Sequence, residues 1–80
     1  MAKTTHYQFS VTSIERVRSS RNGNPRFEIS GIGEAFYTAP DTSAAYEVEN
    51  DFGRASEQHP IAAILTLDGR RNVIDWEIVK

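Results

Sequence analysis

Apolar and polar residues alternate through Tyr7, Phe9 and Val11 against Gln8, Ser10 and Thr12. A period of two predicts a strand with one buried face. The next apolar residues, Ile14 and Val17, fall out of phase. An uncorrected slip of one residue would turn every later side chain to the opposite face. A β-bulge near Thr12–Ser13 is therefore expected to absorb the slip and bend the strand. The first strand is predicted as long and curved, from about His6 to Arg18.

Asn22-Gly23 follows, a dipeptide that favours a type I′ hairpin because that turn needs positive φ at both central residues. Pro25 has no N–H to donate, so the second strand starts after it. Arg26-Phe27-Glu28-Ile29-Ser30 alternates with Phe27 and Ile29 on one face. Gly31-Ile32-Gly33 reads as a turn or glycine kink, and Glu34-Ala35-Phe36-Tyr37-Thr38 as a third strand.

The period then changes. Ala44, Ala45, Val48 and Phe52 recur at helical spacing, which predicts a short helix from about Thr42 to Asp51. Asp41 or Thr42 would supply the N-cap, and Gly53 stands where a C′ glycine belongs. After a polar loop closed by Pro60, Ile61, Ala63, Leu65 and Leu67 alternate with Ala62, Ile64 and Thr66. Both sets suit a largely buried fourth strand. A loop Asp68–Asn72 leads to a last strand, Val73–Val79, with Ile74, Trp76 and Ile78 on one face and Asp75 and Glu77 on the other.

The predicted class is all-β or β-rich: one domain over residues 1–80, five short strands, and one helix between the third and fourth. That order matches a small five-stranded OB-like barrel. Another small barrel of the SH3 kind, or an open sheet packed on one helix, would use the same elements.

Composition narrows the function classes. The chain has 80 residues, enough for one small core but marginal by size. A partner subunit adding core, and so a homo-oligomer, is compatible with that length. The chain has no cysteine, which excludes disulfides and Cys-type zinc sites. No apolar run is long enough to span a membrane, and Met1 to Phe9 contain no signal-like apolar stretch. A cytoplasmic protein is the expectation.

Charge is unevenly placed. The net charge is −2, yet five of the nine basic residues, Arg18, Arg21, Arg26, Arg70 and Arg71, fall in two turn stretches. Asp41 to Glu57 carries Asp41, Glu47, Glu49, Asp51 and Glu57 against Arg54 alone. Such a separation matters for association rather than for fold.

The stretches Ser19-Ser20-Arg21-Asn22-Gly23-Asn24-Pro25-Arg26-Phe27 and Tyr37-Thr38-Ala39-Pro40-Asp41-Thr42-Ser43-Ala44-Ala45-Tyr46, with the closing strand–turn–strand, cover most of the chain. They resemble a pattern in small uncharacterised β-rich proteins of actinobacteria and their phages. The resemblance implies an accessory protein of a phage or mobile element. It brings no catalytic or binding residues.

Two binding readings follow. In an OB-like barrel, the loops joining strands 1–2 and 4–5 flank the ligand face of strands 2 and 3, and these are the arginine loops. Arg18, Arg21, Arg26, Arg70 and Arg71 would hold the phosphates of a single-stranded nucleic acid, while Phe36 and Tyr37 stack on bases. Phe27 and Trp76 read as core. In the second reading, Glu47, Glu49, Asp51 and Glu57 form a negative surface that docks on a host protein, as an inhibitor of a defence enzyme or as an adaptor. A third reading is a structural or assembly subunit whose strand edges pair between copies.

Catalysis has little to work with. His6 and His59 are the only histidines, and both read as surface residues. No metal set, cofactor or enzyme activity is expected. Gly31-Ile32-Gly33 opens a G-x-G-x-x-G run, but Phe36 stands in place of the third glycine.

Overall fold

In a computed structural model, residues 3–19 and 21–79 are described. Ser20 of the first arginine stretch, and Met1 and Ala2 of the N-terminal stretch, lie outside them. Strands β1 (Thr5–Val11) and β2 (Ser13–Val17) occupy the predicted first strand, followed by β3 (Arg26–Ser30) and β4 (Ala35–Tyr37). A 3₁₀ helix (Ser43–Glu47) runs into α1 (Val48–Phe52), and β5 (Ile61–Leu67) and β6 (Val73–Ile78) complete the order.

The strands form two antiparallel three-stranded sheets, β1-β5-β6 and β2-β3-β4, so the chain is β-rich as expected. Among the described residues neither sheet closes into a barrel, and six strands replace the expected five. The extra strand arises at Thr12, the phase slip at which a bulge is expected. Thr12 is buried, and its backbone N–H and hydroxyl both donate to the Ser30 carbonyl, at 2.8 and 3.3 Å. Residues before it pair with β5 (Val11 opposite Ile61) and residues after it pair with β3 (Ile14 opposite Ile29). One curved segment thus serves both sheets.

Alternation places the core between the sheets. Phe9 and Val11, Phe27 and Ile29, Phe36, and Ala63, Leu65 and Leu67 are all buried there. Ala45, Val48 and Phe52 close it from the helical side. Strand β5 is the centre of its sheet, with Ala63, Leu65 and Leu67 buried and Ala62, Ile64 and Thr66 on the other face half-buried. In β6 the register shifts between Thr66 and Leu67: Leu67 faces Val73 and Thr66 faces Asp75. The skipped residue is Ile74. The expected Ile74–Trp76–Ile78 face is therefore corrected to Val73, Trp76 and Ile78, with Val73 fully buried and the other two packed against the core.

The loops differ from expectation where side chains found other partners. Gly23 has φ +84°, but Asn22 is not left-handed, so the turn is not type I′. Asn22 and Asn24 instead donate to the Asp41 carboxylate at 2.9 and 2.7 Å. Asp41 itself adopts φ +60°. Thr42 stands at the N-cap position with extended backbone, as one of the two expected candidates, but its side chain makes no capping bond. The Thr42 hydroxyl donates to the Ile74 carbonyl at 3.4 Å, and the helix opens as 3₁₀. Gly53 ends α1 in a right-handed conformation, φ −60°, rather than as a left-handed C′ residue. A parallel bridge between Thr38 and Val73, with Ala39 N–H donating to the Val73 carbonyl at 2.9 Å, links the two sheets.

Candidate functional site

The two arginine loops reach one short segment, Phe36 to Asp41, from different ends. The second loop is built on Asp68. Its Oδ1 accepts from the N–H groups of Arg70 and Asn72 at 2.8 and 2.9 Å, and its carbonyl accepts from Arg71 N–H at 3.0 Å. This tight loop puts Arg71 at φ +63°. The Arg71 guanidinium lies over the Phe36 ring, 5.4 Å from its centroid. The first loop leads into Arg26, whose Nε–H donates to the Thr38 carbonyl at 3.0 Å. Its tip is held at Asp41 by Asn22 and Asn24. Phe36 and Thr38 are about 7 Å apart at the ~3.3 Å rise of a strand residue. Arg18, Arg21, Arg70 and Arg71 are exposed, and Arg26 is half-buried.

The two aromatic candidates separate. Tyr37 is 44% exposed, on the face of β3 and β4 away from the core. Its hydroxyl is bonded to Glu28, which pushes the phenol above its ordinary 10.0; the Glu28 charge, desolvation and Glu15 add to this, and Arg26 opposes it. Phe36 is 5% exposed, set edge-on against Tyr7 and Phe9 with centroids 5.5 and 5.3 Å away. A ring in that position is core and is not free to stack on a base. Phe27 is core as expected. Trp76 is half-buried against Phe52, and its Nε1–H donates to Asp51 Oδ2 at 2.7 Å.

Beside this aromatic cluster, the Tyr7 hydroxyl donates to Glu34 Oε1 at 2.5 Å. That bond raises the Tyr7 phenol above 10.0, with desolvation and the Glu34 charge adding and Arg71 opposing. Of the acidic set, Glu47, Glu49 and Glu57 are exposed, while Asp51 is half-buried and engaged by Trp76. His6 and His59 are both exposed. Among the described residues no group of three or more His, Cys, Asp or Glu side chains is placed to hold a metal ion. Among the described residues no helix is long and apolar enough to cross a membrane.

A cleft of about 280 Å³ lies between the first arginine loop and the helical segment. Its lining includes Arg16, Pro25, Phe27, Ala45, Tyr46 and Glu49. Arg16 and Tyr46 were not among the expected site residues. Arg16 stands opposite Phe27 in the β2–β3 ladder, on the same face as Ile14. Continuing the alternation beyond Thr12 would have found it. Nothing along the chain pairs Tyr46 with the loop, because that contact spans 22 residues.

No protein-family profile, curated protein or solved structure matches the chain.

Proposed function

We propose that the two sheets are the halves of an OB-like barrel, and that the protein is a non-enzymatic module binding single-stranded nucleic acid. The neighbour order supports the barrel reading. It runs β6-β5-β1, through the continuous chain at Thr12 to β2-β3-β4, and returns to β6 at the Thr38–Val73 bridge. Taking β1 and β2 as one curved strand, the loops at 18–25 and 68–72 are those that flank an OB ligand face. The single observation that carries the ligand reading is that both loops contact the segment 36–38, Arg26 at the Thr38 carbonyl and Arg71 over the core-facing ring of Phe36, with exposed Tyr37 between them on the outer face.

In this reading Arg18, Arg21, Arg26, Arg70 and Arg71 take phosphates and Tyr37 stacks on a base. Glu15 and Glu28 near Tyr37 repel phosphate, so affinity is modest, and the arginine–phosphate contacts make it fall with salt. The test is fluorescence anisotropy of a labelled oligonucleotide at low and moderate salt. Wild type binds, and Arg21→Glu with Arg70→Glu abolishes binding. No binding at low salt, or binding indifferent to these changes, removes the reading.

A second reading rests on the exposed carboxylates of Glu47, Glu49 and Glu57, which suit docking on a basic host protein. The likeness to actinobacterial phage proteins is compatible with either role. A pulldown partner that survives nuclease treatment favours the protein reading.

A further inference from the structure

The cleft beside the first arginine loop joins a buried apolar floor to one exposed aromatic ring. Phe27 and Ala45, 3% and 1% exposed, line it from the core. Pro25 and Gly23 come from the loop, and Tyr46 from the 3₁₀ helix. Tyr46 is 63% exposed, so its ring is open to a ligand. It is also held: its hydroxyl donates to Asn24 Oδ1 at 2.8 Å, and the Asn24 amide donates to Asp41 Oδ1 at 2.7 Å. A fixed, exposed aromatic ring loses little freedom when a base stacks on it. The polar lining is one cation, Arg16, and one anion, Glu49. At about 280 Å³ the cleft falls just below the range of pockets for drug-sized ligands. It suits a single base rather than a larger group.

We propose that this cleft takes one base of the bound strand and that Glu49 selects guanine, an inference that rests on the single-strand reading above. Arg16 carries the phosphate, Tyr46 the base face, and Glu49 the Watson–Crick edge. A carboxylate has acceptors only, and it is best matched by two adjacent donors. Guanine presents N1–H beside its N2 amino group. Adenine and cytosine present one amino group beside an acceptor, and thymine presents one N–H between two carbonyls. Sequence-specific single-strand recognition commonly works by stacking plus hydrogen bonds to that edge.

The experiment compares a labelled oligo-dT with the same oligomer carrying one central dG, by anisotropy at low salt, for wild type, Glu49→Gln and Tyr46→Ala. The expected result is about tenfold or more tighter binding of the dG oligomer by wild type. Glu49→Gln should erase that preference, and Tyr46→Ala should weaken the dG oligomer. Glu49 is exposed, so its variant keeps the fold. Equal binding of the two oligomers, or a preference that survives Glu49→Gln, overturns the guanine assignment and leaves the single-strand reading standing. Failure of wild type to bind either oligomer overturns both. In a parallel titration, guanosine monophosphate should shift the amide NMR signals of Gly23 and Ala45 more than the other three mononucleotides do; equal or absent shifts overturn the assignment.

Discussion

The Arg71 guanidinium rests over the ring of Phe36, 5.4 Å from its centroid, and the Arg71 backbone is held at φ +63° to put it there. Left-handed backbone costs a residue with a Cβ about 1–2 kcal/mol, while an exposed cation–π contact returns about 0.5–1 kcal/mol. Arg71→Ala keeps the backbone cost and loses the contact, so it should destabilise the fold by about 0.5–1 kcal/mol in urea unfolding. Arg71→Gly loses the contact but also sheds the cost, and should be at least as stable as wild type. An alanine variant more stable than the glycine variant would contradict this geometry.

Gly31 is required by space. A Cβ there would lie 2.5 Å from Phe9 Cζ and 2.5 Å from the Ser10 carbonyl oxygen, where β1 and the start of the β3–β4 turn come together. The Ser10 carbonyl is backbone and cannot swing aside. Gly31→Ala should cost about 1–3 kcal/mol by overpacking, read as a lower urea midpoint. Gly33, with φ +81° and open space around it, should cost about 1–2 kcal/mol on change to alanine, from backbone strain alone. Replacing it with Asn should recover part of that loss.

Trp76 is the only tryptophan, and it reports on its own bond to Asp51. Asp51→Ala should red-shift its fluorescence as water reaches the indole N–H. It should also destabilise the fold by about 1 kcal/mol, the usual net value of a side-chain hydrogen bond. Glu49→Ala, two residues earlier and exposed, should change neither. An unchanged spectrum in Asp51→Ala would show that the indole bond is not formed in solution.

Tyr7 and Tyr37 define the alkaline limit. Both phenols are raised above 10.0, chiefly by donating to Glu34 and Glu28 respectively. A raised folded value means that the contribution to stability is fully present below the unfolded value. It is lost as pH climbs past about 10 and through the folded value. Stability should therefore fall above pH 10, and it should fall less steeply in Tyr7→Phe and Tyr37→Phe. Phenolate absorbance should place both groups above 10. Changing Glu34 to Gln should lower the Tyr7 value toward 10. A Tyr7 titration unmoved by that change would rule out Glu34 as the cause.

The strands were legible because each has a buried face, and the period of two registers that directly. Phe27 with Ile29, and Leu65 with Leu67, are inside as the alternation predicts. What periodicity cannot tell is which neighbour a strand takes. Thr12 reads equally well as a bulge or as a change of sheet, and its pairing with Ser30 decides the matter only in three dimensions. The caps failed for a related reason. Asp41 and Thr42 have capping chemistry, but Asn22 and Asn24 donate to the Asp41 carboxylate, and the Thr42 hydroxyl is turned toward the Ile74 carbonyl, both from distant parts of the chain. The arginine loops were visible as composition. The cleft was not, because Arg16 and Tyr46 come from elements that meet only on folding.

The most direct measurement is the slope of binding affinity against salt concentration for a short single-stranded oligonucleotide. If Arg18, Arg21, Arg26, Arg70 and Arg71 each engage a phosphate, the logarithm of the association constant should fall with log salt at a slope of about −3.5, at ~0.7 per phosphate for single strands. Changing Arg21 and Arg70 to Ala should make that slope shallower by about 1.4, at ~0.7 per lost contact. A slope near zero, or one that the double variant leaves unchanged, would contradict phosphate recognition by these loops.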